Sequence, residues 1–587
     1  MSDENMTTTT IPSSRSKFGL IRQITRDTLD SLSPDELRIP SVVETELLEA
    51  CNTMIDNENA TCGHKWRHMD SLIPYQIADA ICKAYPIVKI IGAEDSNDSS
   101  MDLIAIYQDD GKDKGIYSSD ESVLRNLIRQ YSYEMTNKDV MEVMQILQDI
   151  LPRKRRCNKG NLVAVENGLF DTDTKKLIDF DKKYVFLTKS DVPYNEHAKN
   201  VVIHNPDDGT DWDVESWVES LSDDPEIVHL IWQILGAILR NNKPWNKSIW
   251  MYSEKGNNGK GTLCELMRQL VGHGHYASIP LSDFGKDFML EPLIRANAII
   301  TDENDVGTYI DKAANLKAII TGDTIQINRK FKQPVAFQFH GLVIECVNEP
   351  PRIKDKSDSF FRRQIFIPFT KCFTGHERKY IKNDYLKRKD VLEYVLYKVL
   401  NMDYDEFTIP ESCKNALDEY KAYVDPIREF MEEIMPKVKW DLLPYTFLYD
   451  LYVCWYRETH TGDRNIKSQR SFIKDIKLLV ENEYPAWVNT DDSSGKRPGN
   501  LMDDMEPLIG AYNVEKWMNP LYKTNMDPLL KCHPLNLSTR YRGIYRLVPQ
   551  NGSDEDNIVD VDATDATDAT DVTDVTDVTD ISDVSDT

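Results

Sequence analysis

The segment that most constrains this 587-residue chain runs from Ile249 to Leu270, where an apolar run, a glycine-rich loop and a helical pattern follow one another. Ile249 to Ser253 carries enough apolar bulk for a buried strand. Leu263, Leu266, Met267 and Leu270 fall on one face of the helix that follows. Between the two lies Glu254-Lys255-Gly256-Asn257-Asn258-Gly259-Lys260-Gly261-Thr262. Glycines in such a turn let backbone amides close around phosphate oxygens, the lysine neutralises the terminal phosphates, and the helix N-terminus adds its dipole. Gly256, Asn257, Asn258, Gly259, Lys260, Gly261 and Thr262 are therefore the expected phosphate cradle, with ATP and Mg2+ as the implied cofactors. Two positions depart from the usual pattern. Glu254 stands where a glycine normally opens the loop, and Gly261 stands where a hydroxyl normally touches magnesium, leaving Thr262 or a water to substitute. Alone, the loop also suits a small-molecule kinase, since GKGT occurs in nucleoside monophosphate kinases.

Three further elements narrow the choice. Ala298 to Thr301 reads as a strand ending in Asp302-Glu303, placing one carboxylate to hold a metal through water and the other to polarise the attacking water. The alternative is a pair of solvated acids. Leu342 to Val347 is a second apolar strand, ending in Asn348-Glu349-Pro350-Pro351, and Asn348 can orient that water. Arg362 and Arg363 precede a last strand, Gln364 to Phe369, and either can serve as an arginine finger. Such a finger normally acts on a neighbouring subunit's nucleotide, which implies a closed ring; the alternative is a surface salt bridge. Loop, acid pair, asparagine and arginine pair follow in that order within about 110 residues, a far more specific signal than any one of them.

With these residues in place the sequence resembles superfamily III helicases, in particular the helicase half of the poxvirus-type and phage primase-helicases. The segments that carry the resemblance are GNNGKGT, IITDEND, ITGDTIQINRKFKQP, CVNEPP and FFRRQIFIPF. It reaches upstream to residues 102–131 and to NGLFDTDTKKL near Asn167, and downstream to about Leu547. It implies an α/β AAA+ type P-loop ATPase core and a homo-hexameric ring that threads single-stranded DNA in the 3′ to 5′ direction. Thr324 to Ile327 and Val335 to Phe339 alternate as hairpin strands do. In the family an equivalent hairpin lines the pore, which makes Lys330 and Lys332 candidates for gripping DNA phosphates, with Phe331 against a sugar or base. A solvated basic turn is the plainer reading. The larger family members carry a primase domain ahead of this region, but residues 1–150 hold no apolar-flanked DxD pair.

Seven segments are expected. Residues 1–40 form a polar, disordered arm, 41–150 an N-terminal α/β module, and 151–244 an accessory region with a helical collar. The ATPase core spans 245–370, a helical segment 371–435, and a winged-helix-like domain 436–548; a disordered acidic DxT repeat tail fills 549–587. The run Arg153 to Arg156 reads as a solvated linker more than a DNA contact, and Tyr184 to Thr188 as a short strand. In the C-terminal domain Ser468 can cap a helix with Phe472, Ile476 and Leu479 inward, and Arg470, Lys474 and Lys477 on a phosphate-facing side. Arg540 to Leu547 would form the wing.

Charge and cysteines set the context. A net charge of −27 argues against nucleic acid, yet residues 551–587 alone hold thirteen acidic residues and no Lys or Arg, so basic patches remain open to the rest. The ten cysteines form no CxxC pair, and Cys51, Cys62, His64 and His68 match no common zinc spacing, so a reducing cytoplasm is expected. Met1 to Ser16 carries no apolar leader, and Leu230 to Leu239 is too short to span a bilayer, so no membrane association is expected. The expected function is an ATP-dependent DNA helicase replicating a phage, plasmid or other mobile element. Its substrates are single-stranded and forked DNA, and its partners a primase, a polymerase or a single-strand-binding protein. Two rivals stay open: a DNA-bound ATPase switch or origin-recognition protein without processive unwinding, and a nucleotide kinase.

Overall fold

The computed structural model describes residues 16–93, 98–305, 307–459, 466–490, 497–535, 537–538 and 540–547, in two compact units that meet at residues 429 and 430. The first unit opens with helices α1 (Lys17–Ser31), α2 (Pro40–Cys62) and α3 (Pro74–Ala84). The arm expected over residues 1–40 is thereby corrected from residue 17 onward. The helical stripe went unseen because one of its buried positions, between Ile21 and Leu29, is Thr25. The Thr25 hydroxyl donates to the Ile21 carbonyl at 2.7 Å and accepts from Gln76 at 3.1 Å, so its burial leaves no polar group unpaired.

Strands β1 (Ile87–Ile91), β2 (Leu103–Tyr107), β3 (Tyr117–Ser118) and β4 (Arg153–Arg155) form a sheet of order β3-β2-β1-β4, in which only the β1–β4 pair is parallel. Helices α4 (Glu121–Tyr131) and α5 (Asn137–Ile150) belong to the same module. The basic run is thus a strand rather than a solvated linker. Arg153 meets buried Asp102 through two hydrogen bonds of 2.5 and 3.0 Å, and the Arg156 guanidinium lies 4.6 Å from the Phe337 ring centroid, so partners on neighbouring elements absorb the charge. A small antiparallel sheet of Leu162–Val165, Gly168–Asp171 and Lys176–Ile178 follows. Tyr184 to Thr188 is not a strand; it runs beside β3 through a single bond, from the Tyr117 amide to the Phe186 carbonyl, too few for a ladder.

The centre of the unit is a five-stranded, all-parallel sheet. Its strands are β5 (Ser248–Tyr252), β6 (Tyr276–Ala277), β7 (Ala298–Thr301), β10 (Leu342–Val347) and β11 (Gln364–Pro368), in the order β6-β7-β10-β5-β11. Both faces are covered, which is why these strands read as largely apolar runs rather than alternating ones. On β5, Ile249 and Met251 join the core shared with α6 (Pro225–Ala237), α7 (Lys260–Val271) and α8 (Lys389–Leu400). Trp250 points the other way, onto Phe360, Phe366 and Tyr420 of α9 (Glu411–Val424). The hairpin β8 (Thr324–Ile327) and β9 (Val335–Gln338) is inserted ahead of β10. No helix among the described residues is long and apolar enough to cross a membrane.

The second unit pairs β12 (Leu442–Pro444), β14 (Gly543–Arg546) and β13 (Trp487–Asn489) in an antiparallel sheet beside α10 (Tyr445–Thr459) and α11 (Gln469–Glu483). Ser468 caps α11, and Phe472, Ile476 and Leu479 are buried as their spacing requires. The segment expected as the wing holds the short strand Arg540–Tyr541 and then β14, which lies between β12 and β13. Gly543 permits this, because a Cβ there would lie 2.0 Å from the Leu443 carbonyl oxygen. The acidic tail expected over residues 549–587 lies outside the described residues.

Candidate nucleotide site and basic hairpin

The register of the parallel sheet levels its strand ends. Tyr252 of β5 pairs with Val347 of β10 and with Pro368 of β11, so the glycine-rich loop and Asn348 leave the sheet side by side at its carboxyl edge, the edge where α/β sheets bind ligands. The loop turns through Asn257 (φ +59°) and Gly259 (φ +88°) into α7. Alanine at 259 would be excluded twice over, by that φ and by Leu221 Cδ2 at 2.6 Å from its Cβ. Asn258 fastens the turn, donating to the Lys255 carbonyl at 2.6 Å and accepting from the Lys260 amide at 3.3 Å.

Lys260 is 5% exposed, and its ammonium donates to the Val347 carbonyl at 3.1 Å and to Asn348 Oδ1 at 2.9 Å. Burial holds its pKa below the ordinary lysine value. Sequence reasoning placed Lys260 and Asn348 in one site, and the structure joins them directly. Asp302 and Glu303 emerge from β7, next to β10 in the sheet. Glu303 is exposed, whereas both Asp302 oxygens accept from Arg268 of α7, at 2.9 and 3.1 Å. That guanidinium keeps the Asp302 carboxyl below the usual carboxylate range. Each Asp302 oxygen retains a further lone pair, and with the Thr262 hydroxyl on the first turn of α7 the donors are the hard oxygens magnesium takes.

The arginine pair lies elsewhere. The Arg363 carbonyl accepts from the Ser248 amide at 2.7 Å, and Gln364 pairs with Ser248, so both arginines sit at the amino edge of the sheet. Four strand steps, about 13 Å, separate that edge from the loop. Arg362 is exposed, and Arg363 donates to the hydroxyl of Ser359 at 2.8 Å. Neither shares a site with Lys260 in one subunit.

The hairpin tip turns toward the N-terminal module. Lys332 is bound to Glu121 of α4 at 2.6 Å, Arg329 is 3.9 Å from Glu121 and 3.5 Å from Glu291, and Asn328 donates to Asp287 at 3.1 Å. Lys330 lies 5.4 Å from the centroid of the Phe331 ring, which is 95% exposed. In the second unit Arg470 and Lys474 are exposed, while Lys477 is half-buried over the Tyr445 ring at 5.8 Å.

Several groups were missed in the sequence. Glu345 is fully buried within β10, where it accepts from Asn304 at 2.9 Å and from Thr301 at 3.4 Å, and burial pushes its carboxyl well above the usual range. Through Asn304, the residue after Glu303, it fixes the acid-bearing turn. Neither Glu345 nor Arg268 carried a signal, since each lies inside an ordinary strand or helix pattern. A cavity of about 680 Å3 opens beside the loop, lined by Trp217, Leu221, Thr262, Phe373, Ile381 and Lys382. Among the described residues Glu58, Cys62 and His64 approach one another near the cysteine–histidine cluster noted in the sequence, but Cys51 is buried against Gln76 and His68 pairs with Asp56.

Three family models match separate stretches of the chain: D5 N terminal like over residues 57–205, a family of unknown function (DUF5906) over residues 251–363, and Poxvirus D5 protein-like over residues 423–507. Over the first and last of these stretches the chain is thus similar to D5-type proteins. A protein of Acanthamoeba polyphaga mimivirus, named as a candidate helicase, is 21% identical over 493 residues that cover 76% of this chain and 48% of that one. This chain therefore spans about half the length of the curated relative it matches. Among solved structures it is similar to the C-terminal region of NrS-1, at 16% identity, with 72% of this chain and 96% of that chain covered and a TM-score of 0.39. JCV helicase with a bound acetamide ligand is also similar, at 16% identity, with 37% and 62% of the two chains covered and a TM-score of 0.22.

Proposed function

We propose that the chain is the motor of a replicative DNA helicase of a virus, phage, plasmid or other mobile element. It hydrolyses ATP to drive a homo-hexameric ring along single-stranded DNA. The observation that carries this reading is the Lys260 ammonium bound to Val347 and Asn348 beside a strand that ends in Asp302-Glu303. An all-parallel sheet with these groups at its carboxyl edge fits the AAA+ type core that the sequence resemblance implies.

In this reading residues 256–262 cradle the phosphates with their amides, and Lys260 exchanges its protein acceptors for phosphate oxygens. Magnesium bound with the nucleotide neutralises charge on those oxygens, and Thr262 and Asp302 are the residues that would hold it. Glu303 accepts a proton from the attacking water while Asn348, released by Lys260, orients it. Arg362 or Arg363 of the adjacent subunit stabilises the charge developing on the transferred phosphoryl group. Lys330 and Lys332 contact the threaded strand, Arg470, Lys474 and Lys477 contact duplex phosphates, and α10 with α11 serves as a winged-helix-like DNA-binding element. A primase, a polymerase or a single-strand-binding protein supplies the remaining fork activities.

The test is ATP-dependent displacement of a labelled strand from a forked duplex, with Lys260→Ala and Arg363→Ala as controls and mass photometry for assembly. Unwinding that vanishes in the Lys260 variant supports the motor reading. Intact rings that hydrolyse ATP on DNA without unwinding would replace it with a DNA-bound ATPase switch.

A further inference from the structure

The phosphate loop has an open sector at position 261. Loops of this pattern carry a Ser or Thr there, and this chain has Gly261. A Cβ built on Gly261 would meet Lys382 Nζ at 3.8 Å and no other heavy atom within 4 Å beyond its own helix and chain neighbours. The space beside the missing hydroxyl thus faces an ammonium.

Lys382 belongs to the same subunit as the loop, on the short helix Lys379–Asn383 that follows the last sheet strand. That helix is anchored on both sides of Lys382. Ile381 is buried in the main core, and the Tyr380 hydroxyl donates to Asp208 at 2.6 Å. The preceding segment is tied to the loop itself, with the Phe373 amide donating to the Asn257 carbonyl at 2.8 Å and Asn257 donating to Glu377 at 2.6 Å. Among the described residues no carboxylate lies within ion-pair distance of Lys382, although its charge is felt at Asp302. An ammonium held close to a phosphate loop without its own counter-ion is placed to take an anion.

The cavity beside it supplies the other half of the ligand. Its lining joins Lys382, Arg378, Lys379 and Thr262, along with the acids Asp211, Asp213 and Glu377, to apolar surface from Trp217, Leu221, Phe373 and Ile381. A flat apolar group joined to a phosphate chain suits a lining of both kinds. A magnesium-bound triphosphate keeps a net negative charge that Lys260 alone does not balance, and a second fixed cation beside Gly261 completes that balance.

We propose that Lys382 is a phosphate-binding residue of the nucleotide site, acting within its own subunit. It fills the sector that Gly261 leaves open, and the base of the same nucleoside triphosphate is seated in the cavity lined by Trp217, Leu221 and Phe373. This rests on the nucleotide-hydrolysis reading above. Gly261 and Lys382 are then one feature: a side chain at 261 would point at the ammonium, and its absence lets a lysine reach the phosphates while Thr262 keeps the hydroxyl role.

The experiment titrates the full chain and its Lys382→Ala and Lys382→Arg variants with fluorescent analogues of ATP, ADP and AMP, and measures kcat and KM for ATP hydrolysis. Thermal melting confirms folding. Lys382→Ala is expected to weaken ATP binding roughly tenfold or more, the range for a hydrogen bond between charged groups, and AMP binding less than about twofold, with Lys382→Arg recovering part of the loss. Equal loss for ATP and AMP, or no loss for ATP, overturns the proposal while leaving the hydrolysis reading intact, provided Lys260→Ala still abolishes turnover. Wild-type protein that binds no nucleotide removes both.

Discussion

Replacing Glu121 by Gln should tighten the binding of single-stranded DNA. Lys332 is bound to Glu121 at 2.6 Å, with side-chain exposures of 36% and 31%, and Arg329 stands 3.9 Å from the same carboxylate. A half-exposed pair of this kind contributes about 0.2–1 kcal/mol. That free energy must be surrendered before Lys332 can meet a phosphate, so its removal is worth up to about a fivefold gain in affinity, a tenfold change being about 1.4 kcal/mol. The substitution keeps the shape of the side chain at the start of α4 and costs that helix a few tenths of a kcal/mol through its dipole. Fluorescence anisotropy with a labelled oligothymidylate measures the affinity across a salt series. One additional phosphate contact should steepen the logarithmic salt slope by about 0.7. Unchanged affinity and slope in Glu121→Gln, with Lys332→Ala weakening binding, would refute the idea that Glu121 competes with DNA for this lysine. No effect from either variant would remove Lys332 from the DNA path.

Gly259→Ala should abolish nucleotide binding in a titration and cost on the order of 1–3 kcal/mol in a melt, since φ is +88° and Leu221 Cδ2 lies 2.6 Å from the added methyl. Glu345 has its folded pKa raised, so its stabilising contribution is full below the unfolded value near 4.3 and is lost as pH rises toward the folded value. Glu345→Gln should therefore gain on wild type as melts are taken from about pH 5 to pH 8, whereas Glu345→Leu should be destabilised at every pH by removing one of the two acceptors of the Asn304 amide and leaving only the Cys346 carbonyl. Asp302 behaves oppositely: Arg268 depresses its pKa, so the pair stabilises above the unfolded value near 3.9 and fades as pH falls through the lower folded value. The melting difference between wild type and Arg268→Ala should accordingly narrow below about pH 4, and a constant difference would mean that Arg268 acts by packing alone.

How much the sequence disclosed follows from what surrounds each element. Four of the five strands of the parallel sheet were legible because burial on both faces favours apolar residues at successive positions, and β7 falls on Ala298–Thr301 as expected; β6, only two residues long, was not. Lys260 and Asn348 could be paired because each follows such a strand. The N-terminal helix was hidden by Thr25, whose burial depends on a bond to Gln76 from a distant part of the chain. Arg153 to Arg155 looked solvated because its neutralising partner, Asp102, is fifty-one residues away in sequence. The same distance problem hid the contacts of Lys332 and Arg268, whose partners come from other elements, and the approach of Lys382 to the loop. Periodicity reports the face a residue turns inward, and none of these contacts lies on such a face.

The attachment of the hairpin bears on how the proposed ring would deliver force. The Gln338 amide donates to the Gly92 carbonyl at 3.0 Å, the place of a Gly92 Cβ is only 2.2 Å from the Ala336 carbonyl oxygen, and Arg156 lies across Phe337. Strand β9 is thereby stitched to the end of β1, so the hairpin is not a finger swinging on a loose knuckle. Any stroke that drags DNA by its tip must haul the N-terminal sheet along with it, and a load hung on that sheet would pull back on the stroke. Whatever docks on the N-terminal module would then have a mechanical brake on translocation, applied at a distance from the nucleotide.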